Sequence, residues 1–599
     1  MSIRILAHYI GRYRGRYLAG FALLLVTNLA ALTIPWVVKG TIESVGESVG
    51  ESVGASVDES VGQDVAGPAA APRALAWGAL AIVGLALLQG LTRLASRFAL
   101  LGASQRVEAD IRDDLFARLL RLPPAYYQAQ RTGDLMSRAT NDLQSVSMLV
   151  GFGLLSLVNT AIVFVGTIPA MLRIDPWLTL AALGPASLLV LVARRYTVRV
   201  QAESLAVQEQ LSSLSARVQE NLTGMAVVRA YTMEPREIEA FRRLNAEQLR
   251  RTLRLARTQA AFSPLLGAVG GLGTLVVLWL GGKAVVEDRI TLGALVAFSS
   301  YLAYLAWPTL AFGWVLAIVR RGLAALARVI EVLHAGPVVA DAAEAGGAVT
   351  IVGEIELRRL SFGYGEGRTP ALRDVSLRVP AGTCVAVVGP TGSGKTTLGA
   401  LLVRLWEPPA GTVFVDGRDV RTIPLADLRR AVGYVPQESF LFSRPLVENL
   451  AMGEPAEGQV EWAGRVAGLT EDVARLPEGW RTVVGERGLT LSGGQRQRAA
   501  LARALLRDPR ILILDDAFAS VDAAKEAEIL DGIREVLKGR TTLIVTHRLR
   551  PAQLADRVVV LDEGRIVEQG THAELLARGG LYARLWHRQQ LESVLEAPA

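Results

Sequence analysis

The sequence predicts two fused parts, an α-helical transmembrane domain with six spans and an α/β domain of the phosphate-loop type. Three observations predict this fold class. Uncharged apolar windows fall almost entirely within the first 320 of the 599 residues. A glycine-rich stretch, GPTGSGKTT at 389–397, follows a strand-like apolar run. A second apolar run, ILILD at 511–515, ends in a carboxylate, and another carboxylate follows it directly.

The composition indicates that part of the chain lies in a lipid bilayer. Its apolar fraction of 51% and its mean hydropathy of +0.32 exceed what soluble globular proteins show. The net charge of +7 could suggest a nucleic-acid partner. However, the arginines are spread along the chain and no nucleic-acid-binding motif accompanies them. Arginines that flank membrane helices explain the excess better, so we expect no nucleic-acid partner.

Six uncharged windows predict six membrane-spanning helices. Each window approaches or exceeds the ~20 residues that a helix needs to cross the hydrocarbon layer. The first span lacks the flanks of a removed signal peptide. The windows are residues 17–38, 74–92, 143–172, 176–193, 258–282 and 290–319.

The charges that flank the spans predict their orientation. Arg4, Arg12, Arg14 and Arg16 precede the first span, whereas the loop 40–72 contains acidic residues and no Lys or Arg. The positive-inside rule therefore places the N-terminus in the cytoplasm. After six crossings the remainder of the chain is cytoplasmic as well, which predicts a multi-pass protein of the cytoplasmic (inner) membrane.

The outer loop contains a short repeat, ESVGESVGESVGASVDESVG, at residues 43–62. A four-residue period rich in Ser and Gly does not match the period of a strand or a helix. The repeat therefore predicts a mobile acidic tether, with a ligand-binding role as the alternative.

Three further boundaries follow from the pattern. The segments 93–142 and 194–257 are largely helix-forming and predict long cytoplasmic hairpins, with turns at 121–138 and 221–231. The transmembrane domain is predicted at residues 1–320 and a linker at 321–350. The domain at 351–599 contains the phosphate loop and ends in a C-terminal helix.

The stretch at 389–397 fits the motif G-x-x-x-x-G-K-[ST] in its proper place after a strand. Glycines let backbone amides close around phosphate oxygens, Lys395 neutralises β and γ charge, and the Thr396 hydroxyl binds Mg²⁺. An ordinary flexible turn is the alternative. The predicted nucleotide-binding residues of this loop are Gly389, Pro390, Thr391, Gly392, Ser393, Gly394, Lys395, Thr396 and Thr397.

Three more motifs make the loop part of a larger site. ILILD ends in Asp515, a carboxylate suited to the magnesium shell of a phosphate-loop ATPase. LSGGQRQR at 491–498 places a serine and two glycines ahead of a helix, which is a second anion-binding N-terminus. VTHR places His547 after the apolar strand TTLIV.

Together these motifs resemble one half of an ABC transporter, a type IV exporter with fused membrane and nucleotide-binding domains. The resemblance implies that Tyr364 stacks on adenine and that Gln437 is catalytic, senses Mg²⁺ and faces the membrane domain. It implies that His547 is the switch histidine and that Asp522 lies in the dimer-contact loop. It also implies that Ser492, Gly493, Gly494 and Gln495 clamp the γ-phosphate of ATP bound to the other subunit.

The turns near Gly133 and Gly224 resemble the coupling helices of such exporters. Importers of this superfamily usually keep the membrane domain on a separate chain, so the fusion favours export. The cofactors implied are ATP and Mg²⁺, and the partners implied are the bilayer, a second half-transporter and a hydrophobic or amphipathic substrate.

Asp516 departs from the family pattern, in which this position is the glutamate that orients or deprotonates the attacking water. Aspartate withdraws the carboxylate by one C–C bond, ~1.5 Å, and such a displacement can cost roughly 10²-fold in rate. In the family this change is typical of the slow ATP site in an asymmetric heterodimer. The alternative is a homodimer in which Asp516 hydrolyses ATP adequately.

The substrate stays open between drugs, lipids and peptides. The spans contain no charged residue, which argues against an ion or proton relay. Their polar and aromatic residues either line a cavity or serve helix packing. A nucleotide-gated channel or regulator that does not pump is the third functional hypothesis. The residues in question are Asn28, Gln89, Asn159, Tyr301, Tyr304, Trp307 and Trp314.

Overall fold

The computed structural model describes residues 2–57, 70–336, 339, 349–365, 369–453 and 458–596. It divides into two compact units. One consists of Met1–Arg118 and Gly133–His334, and the other of Leu119–Thr132 and Ala335–Ala599. The last helix of the first unit continues past residue 320, where the sequence places the end of the transmembrane domain, to His334.

The first unit is entirely helical in its described part. Short π-helical turns at Arg138–Asp142, Leu149–Gly153 and Val277–Gly281 interrupt the helices. The helices from the N-terminus to His334, with the short helix of segment 119–132 included, are α1 (Ser2–Arg12), α2 (Arg14–Val57), α3 (Ala70–Leu119), α4 (Pro124–Ala129), α5 (Thr132–Ser137), α6 (Leu143–Met148), α7 (Leu154–Ile174), α8 (Pro176–Thr223), α9 (Met225–Ala230), α10 (Glu234–Val276), α11 (Gly282–Val286) and α12 (Leu292–His334).

Five of these helices are longer than a bilayer requires. Helices α2, α3, α8, α10 and α12 have 43 to 50 residues each. At 1.5 Å per residue they measure about 65–75 Å, roughly twice the hydrocarbon thickness. The predicted hairpins are therefore continuous extensions of membrane helices. Their turns carry the short helices α4 and α9.

Four segments of the described chain are long and apolar enough to span a membrane: Arg14–Glu47, Leu75–Leu119, Thr132–Ile174 and Leu292–His334. They cover the first, second, third and sixth predicted windows, apart from residue 74 of the second and residues 290 and 291 of the sixth. The fourth window lies in α8. The fifth ends in a shorter apolar helix, Gly271–Val286. Parts of both windows have side chains outside the described residues, and the arrangement agrees with a six-span transmembrane domain.

The prediction of a mobile tether at residues 43–62 is wrong over its larger part. Helix α2 continues through the repeat to Val57, while residues 58–62 lie outside the described part of the chain. The physical reason is that a four-residue period is close to the 3.6 residues of a helical turn, so the repeat is compatible with a helix. Glu43, the first residue of the repeat, contacts Lys39 and Thr291.

Several polar residues of the spans bond to one another. Asn28 donates to the Asn159 Oδ1 at 3.1 Å and accepts from the Tyr304 hydroxyl at 2.9 Å. The Tyr301 hydroxyl donates to the Leu32 carbonyl at 2.6 Å. These contacts connect α2 with α7 and α12, because a polar group in an apolar interior needs a partner. For these residues helix packing, the plainer of the two interpretations, is supported.

The second unit is an α/β domain with two sheets. A four-stranded antiparallel sheet has the order β2-β1-β4-β5, and a six-stranded sheet has the order β10-β9-β3-β8-β7-β6. The strands are β1 (Ile355–Phe362), β2 (Leu372–Val379), β3 (Cys384–Val388), β4 (Val413–Val415), β5 (Arg418–Asp419), β6 (Val432–Val435), β7 (Ile511–Asp515), β8 (Thr541–Thr546), β9 (Arg557–Asp562) and β10 (Arg565–Gly570).

Helices cover the larger sheet and end the chain. Two short 3₁₀ turns, Gly479–Arg481 and Glu486–Gly488, precede the LSGGQ motif. The helices are α13 (Lys395–Leu402), α14 (Leu425–Ala431), α15 (Leu446–Ala451), α16 (Gln459–Val466), α17 (Thr470–Ala474), α18 (Gly493–Leu506), α19 (Ala523–Leu537), α20 (Leu549–Ala552), α21 (His572–Arg578) and α22 (Leu581–Glu596).

Three parallel strands bring the sequence motifs together. Strands β3, β8 and β7 are neighbours, and every residue in each of them is buried. Continuous apolar runs of this kind are typical of parallel strands that are covered on both faces. Their carboxyl ends meet at one edge of the sheet, the usual place for a ligand in an open α/β sheet. The phosphate loop follows β3, Asp516 follows β7 and His547 follows β8.

Candidate nucleotide-binding and catalytic site

The backbone of the phosphate loop requires glycine at two positions. Gly389 has φ +155°, and a Cβ there would lie 2.0 Å from the Leu561 carbonyl oxygen. Gly394 has φ +97°, and a Cβ there would lie 2.4 Å from the Ala371 carbonyl oxygen. Any side chain would therefore collide with a neighbouring backbone. The loop therefore packs against β9 and against the residue that precedes β2, and it leads directly into α13.

The Lys395 side chain bonds to the backbone of the phosphate loop that precedes it. Its Nζ donates to the carbonyl oxygens of Gly389 at 2.9 Å and Pro390 at 2.7 Å, and lies 3.4 Å from the Ser393 Oγ. Burial lowers the pKa of Lys395, while the charges of Asp516 and Asp515 oppose that shift. The ammonium is a compact charge with three donors, and two of its bonds satisfy carbonyl groups of the loop.

Asp515 is completely buried and both its oxygens are hydrogen-bonded. Its Oδ1 accepts from the Thr396 hydroxyl at 3.1 Å and its Oδ2 from the Tyr434 hydroxyl at 3.3 Å. Burial raises the pKa of Asp515 to about 6, against the effect of these two hydrogen bonds, and the neighbouring Asp516 charge adds to the rise. A nearby cation would lower it again, because an opposite charge favours the ionised form.

The residues around Asp515 fit a magnesium ion held partly by a nucleotide. Within the described residues no group of three His, Cys, Asp or Glu could hold a metal by itself. Mg²⁺ is usually held by one or two carboxylates, waters and substrate phosphates rather than by an all-protein cage. The Thr396 hydroxyl beside the Asp515 carboxylate is a donor set of this kind.

Asp516 lies in a left-handed backbone conformation, with φ +48°. Its amide donates to the Val545 carbonyl at 2.8 Å, and its carbonyl accepts from the Gln497 Nε2 at 3.3 Å. Its Oδ1 lies 2.9 Å from the His547 Nδ1 and accepts from the His547 amide at 3.2 Å. Such a backbone persists only where neighbours hold it, and these contacts supply that support.

The Asp516 carboxylate is ionised at neutral pH. Burial alone would raise its pKa, but the hydrogen bond and charge of His547, together with Lys395, outweigh burial and lower the pKa of Asp516. The two adjacent aspartates thus have opposite environments. Because a raised and a lowered pKa occur side by side, the pair meets a common condition for a functional site.

One cleft of about 370 Å³ brings most of the predicted residues together. Gly389, Pro390, Ser393 and Asp515 are not among its lining residues. Ala371, which the sequence did not single out, is among them. The cleft is lined by Tyr364, Ala371, Thr391, Gly392, Gly394, Lys395, Thr396, Thr397, Gln437, Asp516 and His547.

Tyr364 lines this cleft. Its hydroxyl is 2.8 Å from the Thr397 Oγ1, and its ring packs edge-on against Trp406, with 4.8 Å between ring centroids. Phe362 packs against the same ring at 5.3 Å. Edge-to-face aromatic contacts fix ring orientation, so Tyr364 is presented to the cleft in a defined position.

The LSGGQ motif does not line the cleft of its own chain. The Ser492 Oγ accepts from the Gln495 amide at 3.2 Å, and the Gln495 Oε1 accepts from the Ser492 amide at 2.8 Å. This capping box satisfies free amides at the start of α18. A Cβ on Gly494 would lie 2.8 Å from the Ser520 carbonyl oxygen. The motif therefore packs against the loop that follows Asp516.

Sequence reasoning missed three side chains of this region: Tyr434, Trp406 and Gln497. Each contacts a predicted residue from a distant part of the chain, so spacing alone carries little signal. Gln497 was the most accessible to inference, because it lies within the stretch LSGGQRQR at 491–498. It is buried, and its side-chain Oε1 accepts from the Ser520 backbone amide at 2.8 Å.

We expect Lys395→Ala to weaken ATP binding at this chain's own site roughly 30-fold or more, because truncating one partner of a buried charge pair costs several kcal/mol. Membrane insertion should be unaffected. The measurement is equilibrium binding of a fluorescent ATP analogue to the purified transporter. Lys538→Ala, which removes an exposed lysine paired with Glu535, is the matched control. Unchanged nucleotide binding at this site would exclude the proposed role of Lys395.

Comparisons with known proteins cover both units. Residues 17–309 match the family described as ABC transporter transmembrane region, and residues 372–519 match the family described as ABC transporter. The chain is 38% identical to the probable multidrug resistance ABC transporter ATP-binding/permease protein YheI of Bacillus subtilis, over 84% of this chain and 86% of the relative.

Two further similarities agree with this result. The chain is 34% identical to the ATP-dependent lipid A-core flippase of Syntrophus aciditrophicus, over 86% of each protein. The solved structure of a bacterial Atm1-family ABC exporter with ATP bound is similar at a TM-score of 0.75 and 28% identity. That match covers 96% of this chain and 99% of the other.

Proposed function

We infer that this chain, which belongs to the ABC transporter family as an exporter with a transmembrane region and an ATPase domain in one polypeptide, is one half of a heterodimer. We propose further that its own ATP site is the slow one of the two. The family assignment makes the protein an ATP hydrolase coupled to transport. The proposal adds which of the two ATP sites of the assembled transporter hydrolyses ATP rapidly, and which class of substrate is exported.

Each site residue would have a separate role in ATP binding or hydrolysis. Tyr364 would stack on adenine, and the loop amides and Lys395 would hold the β- and γ-phosphates. Thr396, Asp515 and Gln437 would hold Mg²⁺, which supplies charge neutralisation of the phosphates when bound. His547 would contact the γ-phosphate, and Asp516 would orient the attacking water. Ser492 and its glycines would act on ATP bound to the partner.

The position of the Asp516 carboxylate carries the slow-site proposal. Its Oδ1 is engaged by both the side chain and the backbone of His547, and the side chain is one C–C bond shorter than glutamate. Phosphoryl transfer depends almost entirely on positioning and electrostatics. A carboxylate that lies ~1.5 Å short of the position of a glutamate carboxylate orients the attacking water poorly. We therefore assign slow hydrolysis to this chain's own site.

A homodimer is the second candidate, and one observation favours it. The Asp516 carboxylate is ionised and lines the same cleft as Lys395 and Thr396. An ionised carboxylate at that place has the charge that a general base needs. The two candidates differ in whether the Asp516 carboxylate reaches the attacking water, so they predict opposite effects of substitutions at Asp516.

We propose a hydrophobic or amphipathic substrate, such as a drug, a lipid or a peptide. One relative is named for multidrug resistance and another for flipping a lipid. The predicted spans contain no charged residue that could recognise an ion. The polar groups of Tyr301, Tyr304 and Asn28 bond within the protein, so these three residues serve helix packing.

The proposed orientation places the N-terminus and the ATPase domain in the cytoplasm, with the chain in the cytoplasmic (inner) membrane. The short helices α4 and α9 at the hairpin turns would transmit nucleotide-driven movement to the spans. Alternating access would then release the substrate on the far side.

Affinity purification from the native membrane tests the heterodimer. We expect a second, nonidentical half-transporter to copurify with this chain in equal amounts. Intact-mass measurement of the detergent-extracted complex reads out the composition, and this chain expressed without its genomic neighbours is the control. A complex that contains two copies of this chain and no other half-transporter would establish the homodimer instead.

A further inference from the structure

Through a single side chain, the C-terminal helix α22 contacts the backbone on both sides of Arg548, the residue that follows the switch histidine. The Gln589 Nε2 donates to the His547 carbonyl oxygen at 3.0 Å. The Gln589 Oε1 accepts from the Leu549 amide at 2.7 Å. The two ends of one planar amide thus bind two backbone groups that flank Arg548. A pair of bonds from one rigid group fixes the orientation of this turn more tightly than a single bond.

Helix α22 is itself anchored in the ATPase domain. Tyr582 is completely buried, and its hydroxyl lies 2.7 Å from the His572 Nδ1. Trp586 packs edge-on against the His572 ring at 4.8 Å. Both side chains belong to the hydrophobic core of the larger sheet or pack against it. Gln589 lies one turn beyond Trp586, so it reaches the histidine turn from a fixed base.

His547 is therefore held from two sides. Its side chain and amide contact the Asp516 carboxylate, and its carbonyl contacts Gln589. The next residue, Arg548, donates to the Ala519 carbonyl at 2.9 Å and to the Val521 carbonyl at 3.1 Å. The backbone of this turn consequently has little freedom, and the imidazole enters the cleft in one direction.

We propose that Gln589 is a positioning residue for His547, through which the C-terminal helix sets how well the site distinguishes ATP from ADP. The proposal rests on the proposed contact between His547 and the γ-phosphate. When Gln589 is removed, the peptide groups on both sides of Arg548 lose their partners and the imidazole is no longer fixed. ATP loses a well-placed contact, whereas ADP has no γ-phosphate to lose.

The test compares two nucleotides rather than total activity. Binding of the β,γ-imido analogue of ATP and of ADP is measured on the full-length transporter with its partner. The share of this chain's own site is the part of the binding that Lys395→Ala removes. The variants are Gln589→Leu, His547→Ala and the double variant. Gln590→Leu is the matched control, because Gln590 is the adjacent residue on α22 and its side chain is exposed.

We expect Gln589→Leu to weaken binding of the ATP analogue roughly fivefold, the effect of about one lost hydrogen bond, and to leave ADP within about twofold. His547→Ala should likewise lower the preference for the ATP analogue over ADP. The double variant should lose little more of this preference, because the effects of residues that act through one contact are not additive. The Gln590→Leu control should keep both affinities.

Three results would overturn the proposal in distinguishable ways. Equal weakening of both nucleotides by Gln589→Leu would show a merely structural role for the side chain. An unchanged preference in Gln589→Leu, with a lowered preference in His547→Ala, would reject Gln589 and leave the proposed role of His547 intact. An unchanged preference in His547→Ala would reject the γ-phosphate contact itself, and the inference with it.

Discussion

Ser492→Arg is expected to abolish most of the ATPase activity of the assembled transporter, although this chain's own phosphate loop stays intact. Ser492 does not line the cleft of its own chain, and its backbone and hydroxyl cap α18. We propose that this helix N-terminus meets the γ-phosphate of ATP held by the partner. Losing one such donor typically costs roughly 10²-fold or more in rate, and the bulk of arginine adds to the loss.

The loss of the helix cap needs its own control, since replacing a capping serine destabilises a protein by roughly 1 kcal/mol. The chain contains a second capping box, formed by Thr571 and Glu574 at the start of α21. Thr571→Arg removes an equivalent cap without touching the signature. We expect it to lower the thermal unfolding temperature about as much as Ser492→Arg does, with ATPase activity retained. Near-wild-type activity of Ser492→Arg would show that the productive site does not use this signature.

Neutralising Asp516 is expected to change the total ATPase turnover by less than about twofold if this chain contributes a slow site. A homodimer predicts the opposite, a loss of roughly 10²- to 10⁴-fold, as happens when an essential general base is removed. Asp516→Glu should add turnover, because it restores the missing ~1.5 Å of reach. Steady-state ATPase rates of the wild type, the neutral variant and Asp516→Glu, each purified with the native partner, decide between the slow site and the homodimer.

Asparagine is the sharpest neutral replacement at this position. Asp516 has φ +48°, a conformation that Asn tolerates well and that costs other L-residues roughly 1–2 kcal/mol. Asp516→Asn therefore removes the charge and keeps the backbone, whereas Asp516→Ala changes both. Comparing the two variants separates loss of the base from loss of the local structure. A collapse of turnover in Asp516→Asn would reject the slow site, and retained turnover would reject the homodimer.

Local features of the sequence were sufficient for the fold class. Uncharged windows of bilayer length and a phosphate loop after a strand predicted a transmembrane domain fused to an ATPase domain of the ABC type, and the fold and the family matches confirm this prediction. The repeat at 43–62 shows where such reasoning fails. Its composition suggested a tether, but its period is close enough to 3.6 for α2 to continue through it to Val57.

The sequence by itself identified the candidate site residues, because a phosphate loop, carboxylates after strands and a serine with two glycines ahead of a helix are each local patterns. Only the tertiary structure decided how these patterns meet. The parallel order β3-β8-β7 brings the phosphate loop, His547 and Asp516 to one edge of the sheet. The opposite pKa shifts of Asp515 and Asp516 arise from burial and from His547, and the contact from Gln589 crosses forty residues of chain. Burial and long-range hydrogen bonds depend on the packed chain, so no reading of local spacing contains them.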